Sequence, residues 1–189
     1  MSDARRRSIP PRRRFFLGCE GYSEESYGAL LQELADQSFY LHIYLDVQPL
    51  YGGDPLAVVQ AACLRARQRA RDRGLYAGRA VLLDSDRLGQ NPERDNRIEP
   101  LATEDRLLLV WQRPCHEAFL LRHLVGCQTR RPGDPEASRA ALLQQWPSYR
   151  KPMSARRLAE RVTLAEIRAA TRVEPELRDL LSLLGFHAV

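Results

Sequence analysis

The aspartate pair in Asp84-Ser85-Asp86, the Glu20-Gly21 step and Lys151 are the residues of this sequence best suited to chemistry. Asp84 and Asp86 are two apart in what reads as an extended turn, a spacing that points both carboxylates the same way. Like charges this close either raise one another's pKa or require a cation. Mg²⁺ suits such oxygen ligands, keeps waters of its own and bridges carboxylates to phosphate oxygens. Lys151 is the one lysine among 29 basic residues. An ammonium's pKa can be tuned where a guanidinium's cannot, so Lys151 either marks chemistry or is a chance survivor in an arginine-biased composition. An acid at a strand end is also an ordinary turn residue. The case therefore depends on the elements that bring these groups together.

Phe15 to Cys19 is a short apolar run without alternation, the pattern of a strand buried on both faces, and it ends at Glu20-Gly21. Ser23 as a cap, with Glu24 and Glu25 in the first turn, opens a helix whose Tyr27, Leu30, Leu31 and Leu34 recur at helical spacing. Phe39 to Val47 predicts a second strand. Gly52-Gly53-Asp54-Pro55 supplies the turn, N-cap and first-turn proline of a helix closed by Gly74. Ala80 to Leu83 and Leu107 to Trp111 predict the third and fourth strands, separated by a polar stretch in which Asn91-Pro92 can start a helical segment. Pro114 begins a short helix carrying Glu117, and three further helical stretches start at Asp134-Pro135, Ser154 and Glu174-Pro175.

Strand and helix thus alternate four times, which predicts an α/β fold: right-handed crossovers and a mostly parallel four-stranded sheet with helices on both faces. In the flavodoxin-like strand order 2-1-3-4, ligands bind outside the carboxyl ends of strands one and three. Glu20 follows the first strand and Asp84 and Asp86 follow the third, so all three acids are expected at that crevice.

The chain of 189 residues is 44% apolar and 28% charged, which implies one folded core and excludes wholesale disorder and collagen-like or repeat architecture. No apolar run approaches the roughly 20 residues that cross a bilayer, and the start lacks a signal peptide's apolar stretch, so a cytoplasmic protein is expected. The net charge of +5 is concentrated in residues 1–14, where six arginines face Asp3 alone. This segment reads as a disordered basic arm in which Arg12, Arg13 and Arg14 either hold a phosphate backbone or only aid solubility. Arg65, Arg67, Arg69, Arg71 and Arg73 lie on one predicted helix, as a solvated face or as a nucleic-acid ridge. Asp46 and Asp105 read as solvated, and Trp111, Trp146 and Tyr149 as core residues. The four cysteines form no CxxC pair and read as reduced core thiols; Cys115, His116, His123 and Cys127 offer zinc-type ligands at a spacing that fits no familiar site.

Glu-Gly after the first strand with Asp-x-Asp after the third resembles the TOPRIM catalytic core of topoisomerases, primases and several nucleases. The segment Gln112-Arg113-Pro114-Cys115-His116-Glu117-Ala118-Phe119-Leu120-Leu121-Arg122-His123 resembles the Asn-Pro-Cys-Phe-Glu-x-Trp-Leu-Leu-x-His stretch of RloB-like proteins, a TOPRIM-related bacterial family, and Tyr149-Arg150-Lys151 is similar to that family's Tyr-x-Lys. His116 departs from the family's aromatic residue, and Gln112-Arg113 from its polar residue before proline. The resemblance spans Phe15 to Lys151. It implies a TOPRIM-like core over 15–125 with a C-terminal helical extension over 126–189, and Mg²⁺ or Mn²⁺ held by Asp84, Asp86 and Glu20. It also implies catalytic roles for Glu20, Lys151 and Glu117, with Arg12, Arg13, Arg14, Arg65 and Arg69 available to nucleic acid. The activity so implied is metal-dependent phosphodiester cleavage, of RNA such as tRNA, in bacterial antiphage defence beside a partner ATPase. The alternative is a non-catalytic subunit of the same shape that binds a nucleotide or that ATPase. A small-molecule phosphatase ranks last, because no nucleophilic first aspartate stands where it would be needed.

Overall fold

The computed structural model describes residues 11–186. Residues 1–10, most of the expected basic arm, lie outside the described residues. Four strands, β1 (Arg13–Cys19), β2 (Ile43–Pro49), β3 (Gly78–Asp84) and β4 (Leu107–Gln112), form one wholly parallel sheet in the order β2-β1-β3-β4. The expected α/β class and the adjacency of the first and third strands are therefore observed.

Successive β1 side chains enter opposite layers, as the period of two requires. Phe15, Leu17 and Cys19 pack with Leu30, Leu31, Leu82, Val110 and Phe119, while Phe16 packs with Val58, Val59, Val81, Leu83 and Trp111. Both faces are covered, which is why β1 reads as an unbroken apolar run.

The first layer is closed by α1 (Tyr22–Gln37) and the second by α2 (Pro55–Arg73). Asp54 accepts from the Ala57 N–H at 3.0 Å at the start of α2, and Gly74 ends it. Helix α1 is capped by Gly21, two residues before the expected cap Ser23, because Glu24 reaches back to accept from the Gly21 N–H at 3.0 Å. Gly28 lets α1 lie close on the sheet: a Cβ there would stand 2.9 Å from Val47 Cγ1 and 3.0 Å from Leu17 Cδ2. Overpacking of this kind costs about 1–3 kcal/mol, against alanine's gain of about 1 kcal/mol in a helix. Gly28→Ala is accordingly expected to lower the urea midpoint, and an unchanged midpoint would show that α1 can lift off the sheet.

The second strand begins at Ile43, not Phe39, because its register opens at Arg13↔Ile43, leaving Phe39 and Tyr40 exposed in the preceding turn. It runs on to Pro49, which an edge strand tolerates. Between β3 and β4 lie two short helices, α3 (Pro92–Asp95) and α4 (Ile98–Glu104).

After β4 come α5 (His116–Leu121), α6 (Pro135–Gln145), α7 (Ala155–Leu158), α8 (Leu164–Ala170) and α9 (Pro175–Leu184). Among the described residues four helical stretches thus follow residue 126, where three were expected. Helix α8 starts at Thr163, whose N–H donates to Glu166 Oε2 at 3.1 Å while its hydroxyl caps Ala165. Leu142, Trp146, Tyr149, Leu158, Ile167, Leu177 and Leu180 join the α1 layer, so the described part of the C-terminal region completes the main core. Among the described residues no helix is long and apolar enough to cross a membrane.

Candidate functional site

The parallel pairing of β1 with β3 places Glu20 beside Asp84 at the carboxyl rim of the sheet. Glu20 Oε2 accepts the backbone N–H of Asp84 at 2.8 Å, and both residues line one cleft. Asp86 does not join them on the cleft wall. The chain leaves extended geometry straight after Asp84: the Ser85 N–H donates to the Gln112 and Pro114 carbonyls, and the Leu88 N–H closes a turn on Ser85. The spacing rule for extended chain therefore lapses and Asp86 stands exposed, although its charge still acts on Glu20 and Asp84.

A cleft of about 430 Å³ opens at this rim, lined among others by Glu20, Glu24, Asp84 and Lys151. Glu24 was read from the sequence only as a first-turn helix acid, yet it is 4% exposed and forms part of the wall. Its Oε1 lies 3.5 Å from His116 Nδ1. Gln112, which ends β4 in register with Asp84, joins these groups. With its amide oxygen accepting from His116 Nδ1 at 3.0 Å, its nitrogen donates to Asp84 Oδ1 at 3.1 Å and to Glu24 Oε1 at 3.3 Å. Gln112 was not named as a site residue from the sequence, and His116 only as one of the zinc-type ligands. The one available signal was the Glu-x-x-x-Glu spacing of Glu20 and Glu24 across the strand-helix junction.

The electrostatics follow from this crowding. Burial, then the charges of Glu24, Glu20 and Asp86, push the Asp84 carboxyl up to about 9, with Lys151 opposing. Burial also raises Glu20, against the hydrogen bond from the Asp84 N–H. Burial lowers His116 further than Glu24 and Glu117 raise it, which favours the neutral imidazole. Lys151 Nζ pairs with Glu117 Oε1 at 2.9 Å. Burial works against the charge of both partners, but the pairing outweighs it, holding the ammonium above and the Glu117 carboxyl below their ordinary ranges. The lone lysine thus reaches the cleft charged, from a position 67 residues beyond Asp84 in the chain.

The arginines proposed for nucleic acid are placed differently. Arg13 and Arg14 open β1 instead of ending a disordered arm, at the rim opposite the cleft and roughly 20 Å away at strand rise. Arg12 pairs with Asp36 at 2.7 Å, and Arg13 lies over the Phe15 ring. Asp46, expected to be solvated, is 2% exposed. It binds Arg69 through two contacts of 2.8 Å, Arg14 at 3.1 Å and the Tyr76 hydroxyl at 2.5 Å. Asp105 is likewise buried against Arg67. A carboxylate at a sheet-helix seam is desolvated and draws guanidinium partners from other elements, so Arg14 and Arg69 are engaged by Asp46 and Arg67 by Asp105. Arg65 is exposed, with Gln48 Oε1 3.5 Å away.

The four cysteines are buried and free, and Trp111, Trp146 and Tyr149 are core residues, as expected. The zinc-type set has other engagements: His123 meets the Tyr27 hydroxyl at 2.9 Å and the Phe119 carbonyl at 2.8 Å, and His116 meets Gln112. Among the described residues no three His, Cys, Asp or Glu side chains form a ready-made metal cage. The donors at the rim are nonetheless all hard oxygens, and their negative charge is balanced in the cleft by a lysine that is itself shared with Glu117. Mg²⁺ is characteristically bound through one or two carboxylates, its own waters and substrate phosphates, so this donor set fits it.

Scans of the chain against protein-family models, curated proteins and solved structures return no match.

Proposed function

We propose that the cleft cleaves phosphodiesters in nucleic acid, RNA included, with a divalent metal, in the manner of TOPRIM nucleases and as an RloB-like defence protein. The observation that carries this reading is the meeting of Glu20 and Asp84 at the rim, with Lys151 on the same wall. Mg²⁺ or Mn²⁺ held by Glu20 and Asp84 would polarise the phosphoryl oxygen and lower the pKa of a bound water. Glu20, with one oxygen fixed by the Asp84 N–H, has the other left for an ion or a proton. Gln112 and His116 hold Asp84 and Glu24 in place from below. Lys151, kept protonated and positioned by Glu117, supplies positive charge where the phosphoryl oxygens gain negative charge.

The test is Mg²⁺-dependent cleavage of RNA and DNA by the purified chain. Glu20→Gln is expected to reduce the rate by at least roughly a hundred-fold, and Lys151→Gln by a comparable factor, with thermal melting still cooperative in both. Undiminished cleavage in Glu20→Gln refutes the assignment. Nucleotide or ATPase binding that ignores Mg²⁺ and survives loss of Glu20 and Asp84 would instead mark a non-catalytic binding subunit.

A further inference from the structure

Two tyrosines at the mouth of the cleft have no part in the chemistry above. Tyr22 is the first residue of α1, and Tyr51 lies in the loop between β2 and α2. They are 60% and 69% exposed, and both line the cleft beside Glu20, Asp84 and Lys151. Their ring centroids are 6.0 Å apart at 69°, an edge-on pair that leaves most of the ring faces to water.

Tyr51 has φ of 60°, the left-handed region that a bulky side chain rarely adopts. The loop is braced on three sides, which is how such a conformation persists. The Leu50 N–H donates to the Cys19 carbonyl and the Gly52 N–H to the Glu20 carbonyl, each at 2.8 Å, and Arg87 donates to the Gly53 carbonyl at 2.9 Å. The backbone is thus held in a strained conformation with an exposed ring next to Glu20, and while Leu50 before it packs into the core, the Tyr51 ring does not.

We propose that Tyr22 and Tyr51 form a stacking platform for an unpaired nucleobase whose neighbouring phosphate enters the acid cleft, so that the chain selects single-stranded over duplex nucleic acid. This rests on the phosphodiester reading of the cleft. Aromatic faces recognise bases by their π surfaces, which a duplex keeps covered and a single strand or an extruded nucleotide exposes. A phenol ring stacks on any base, so the platform sets strandedness and register, not sequence.

Fluorescence anisotropy with end-labelled oligouridylate and oligothymidylate tests this, with Ca²⁺ in place of Mg²⁺ so that the strand stays intact. The controls are a strand of equal length carrying abasic residues at its centre and a duplex. The two sugars distinguish RNA from DNA as the source of the base. The unaltered chain is expected to prefer the full strand over the abasic one by about ten-fold or more. Tyr22→Leu and Tyr51→Gly are each expected to weaken that preference several-fold, and the double variant to abolish it. Glycine accepts positive φ, so Tyr51→Gly relieves backbone strain and a loss of binding cannot be ascribed to unfolding. Absence of binding, a preference near unity in the unaltered chain, or one that survives the double substitution each overturns the proposal. Metal-dependent cleavage that ignores both tyrosines removes the platform and spares the nuclease reading. A tyrosine-dependent preference in a chain that never cleaves does the reverse.

Discussion

An Asp84→Asn chain is expected to melt above the unaltered protein at about pH 8 while losing its metal-dependent cleavage. The folded protein holds the Asp84 carboxyl at about 9, and in the unfolded chain it titrates near 3.9. Between those values the native state carries a proton that the unfolded state gives up, so stability is fully present below about pH 4 and falls as pH rises toward 9. Without added metal, the unaltered chain should therefore lose melting temperature between about pH 5 and pH 8. Asparagine keeps the shape and can still meet Gln112, but has no proton to lose, so that slope flattens. The shift comes first from burial and then from the charges of Glu24, Glu20 and Asp86, and one substitution recovers part of its cost: about 2 kcal/mol at the alkaline end, or roughly 4–8 °C for a chain of this size. Mg²⁺ should raise the melting temperature of the unaltered protein, as any ligand of the native state does, and should leave Asp84→Asn unmoved. Opposite signs for stability and activity are characteristic of a functional cluster held together against its own charge. A variant that melts lower at pH 8, or that still responds to Mg²⁺, removes Asp84 from the centre of the site.

What could be read from the residues alone follows from how local the cause is. The alternation of apolar runs with capped amphipathic segments gave the parallel order, and the strand-end rule then brought Glu20 to Asp84, because both depend on chain direction and on little else. Glu24 escaped because an acid in a first helical turn already has an explanation in the helix dipole. Tertiary packing buries it, with His116 of α5 and Gln112 at the end of β4 beside its carboxylate. Gln112 carries no charge to draw notice, and its role comes from a register that no local pattern reveals. Asp46 and Asp105 were misplaced for the converse reason: their arginine partners lie at least 23 residues away in the chain. Asp86 shows the limit of spacing arguments, since the rule that two residues apart means one face holds only while the chain stays extended.

The C-terminal region offers the other large effect. Arg122, just past α5, is 0% exposed, and its Nε donates to Glu174, which is buried at the start of α9. Its Nη2 donates to the Arg113 carbonyl at 2.9 Å, while Nη1 is buried without a partner among the described residues. Burial lowers the guanidinium's pKa against the pull of Glu174, so this is a desolvated pair joining the β4–α5 segment to the last helix. Two such charges gain little over well-packed apolar groups, but either one left alone is costly. Glu174→Ala or Arg122→Met is therefore expected to cost about 3–5 kcal/mol, or roughly 6–20 °C in melting temperature. The double variant Arg122→Met/Glu174→Gln, which buries no unpaired charge, should recover most of that loss. The decisive quantity is the coupling between the two positions in a double-mutant cycle. If the single effects simply add, the pair is not the joint through which the C-terminal helices hold α5, and with it Glu117 and Lys151, against the rim of the sheet.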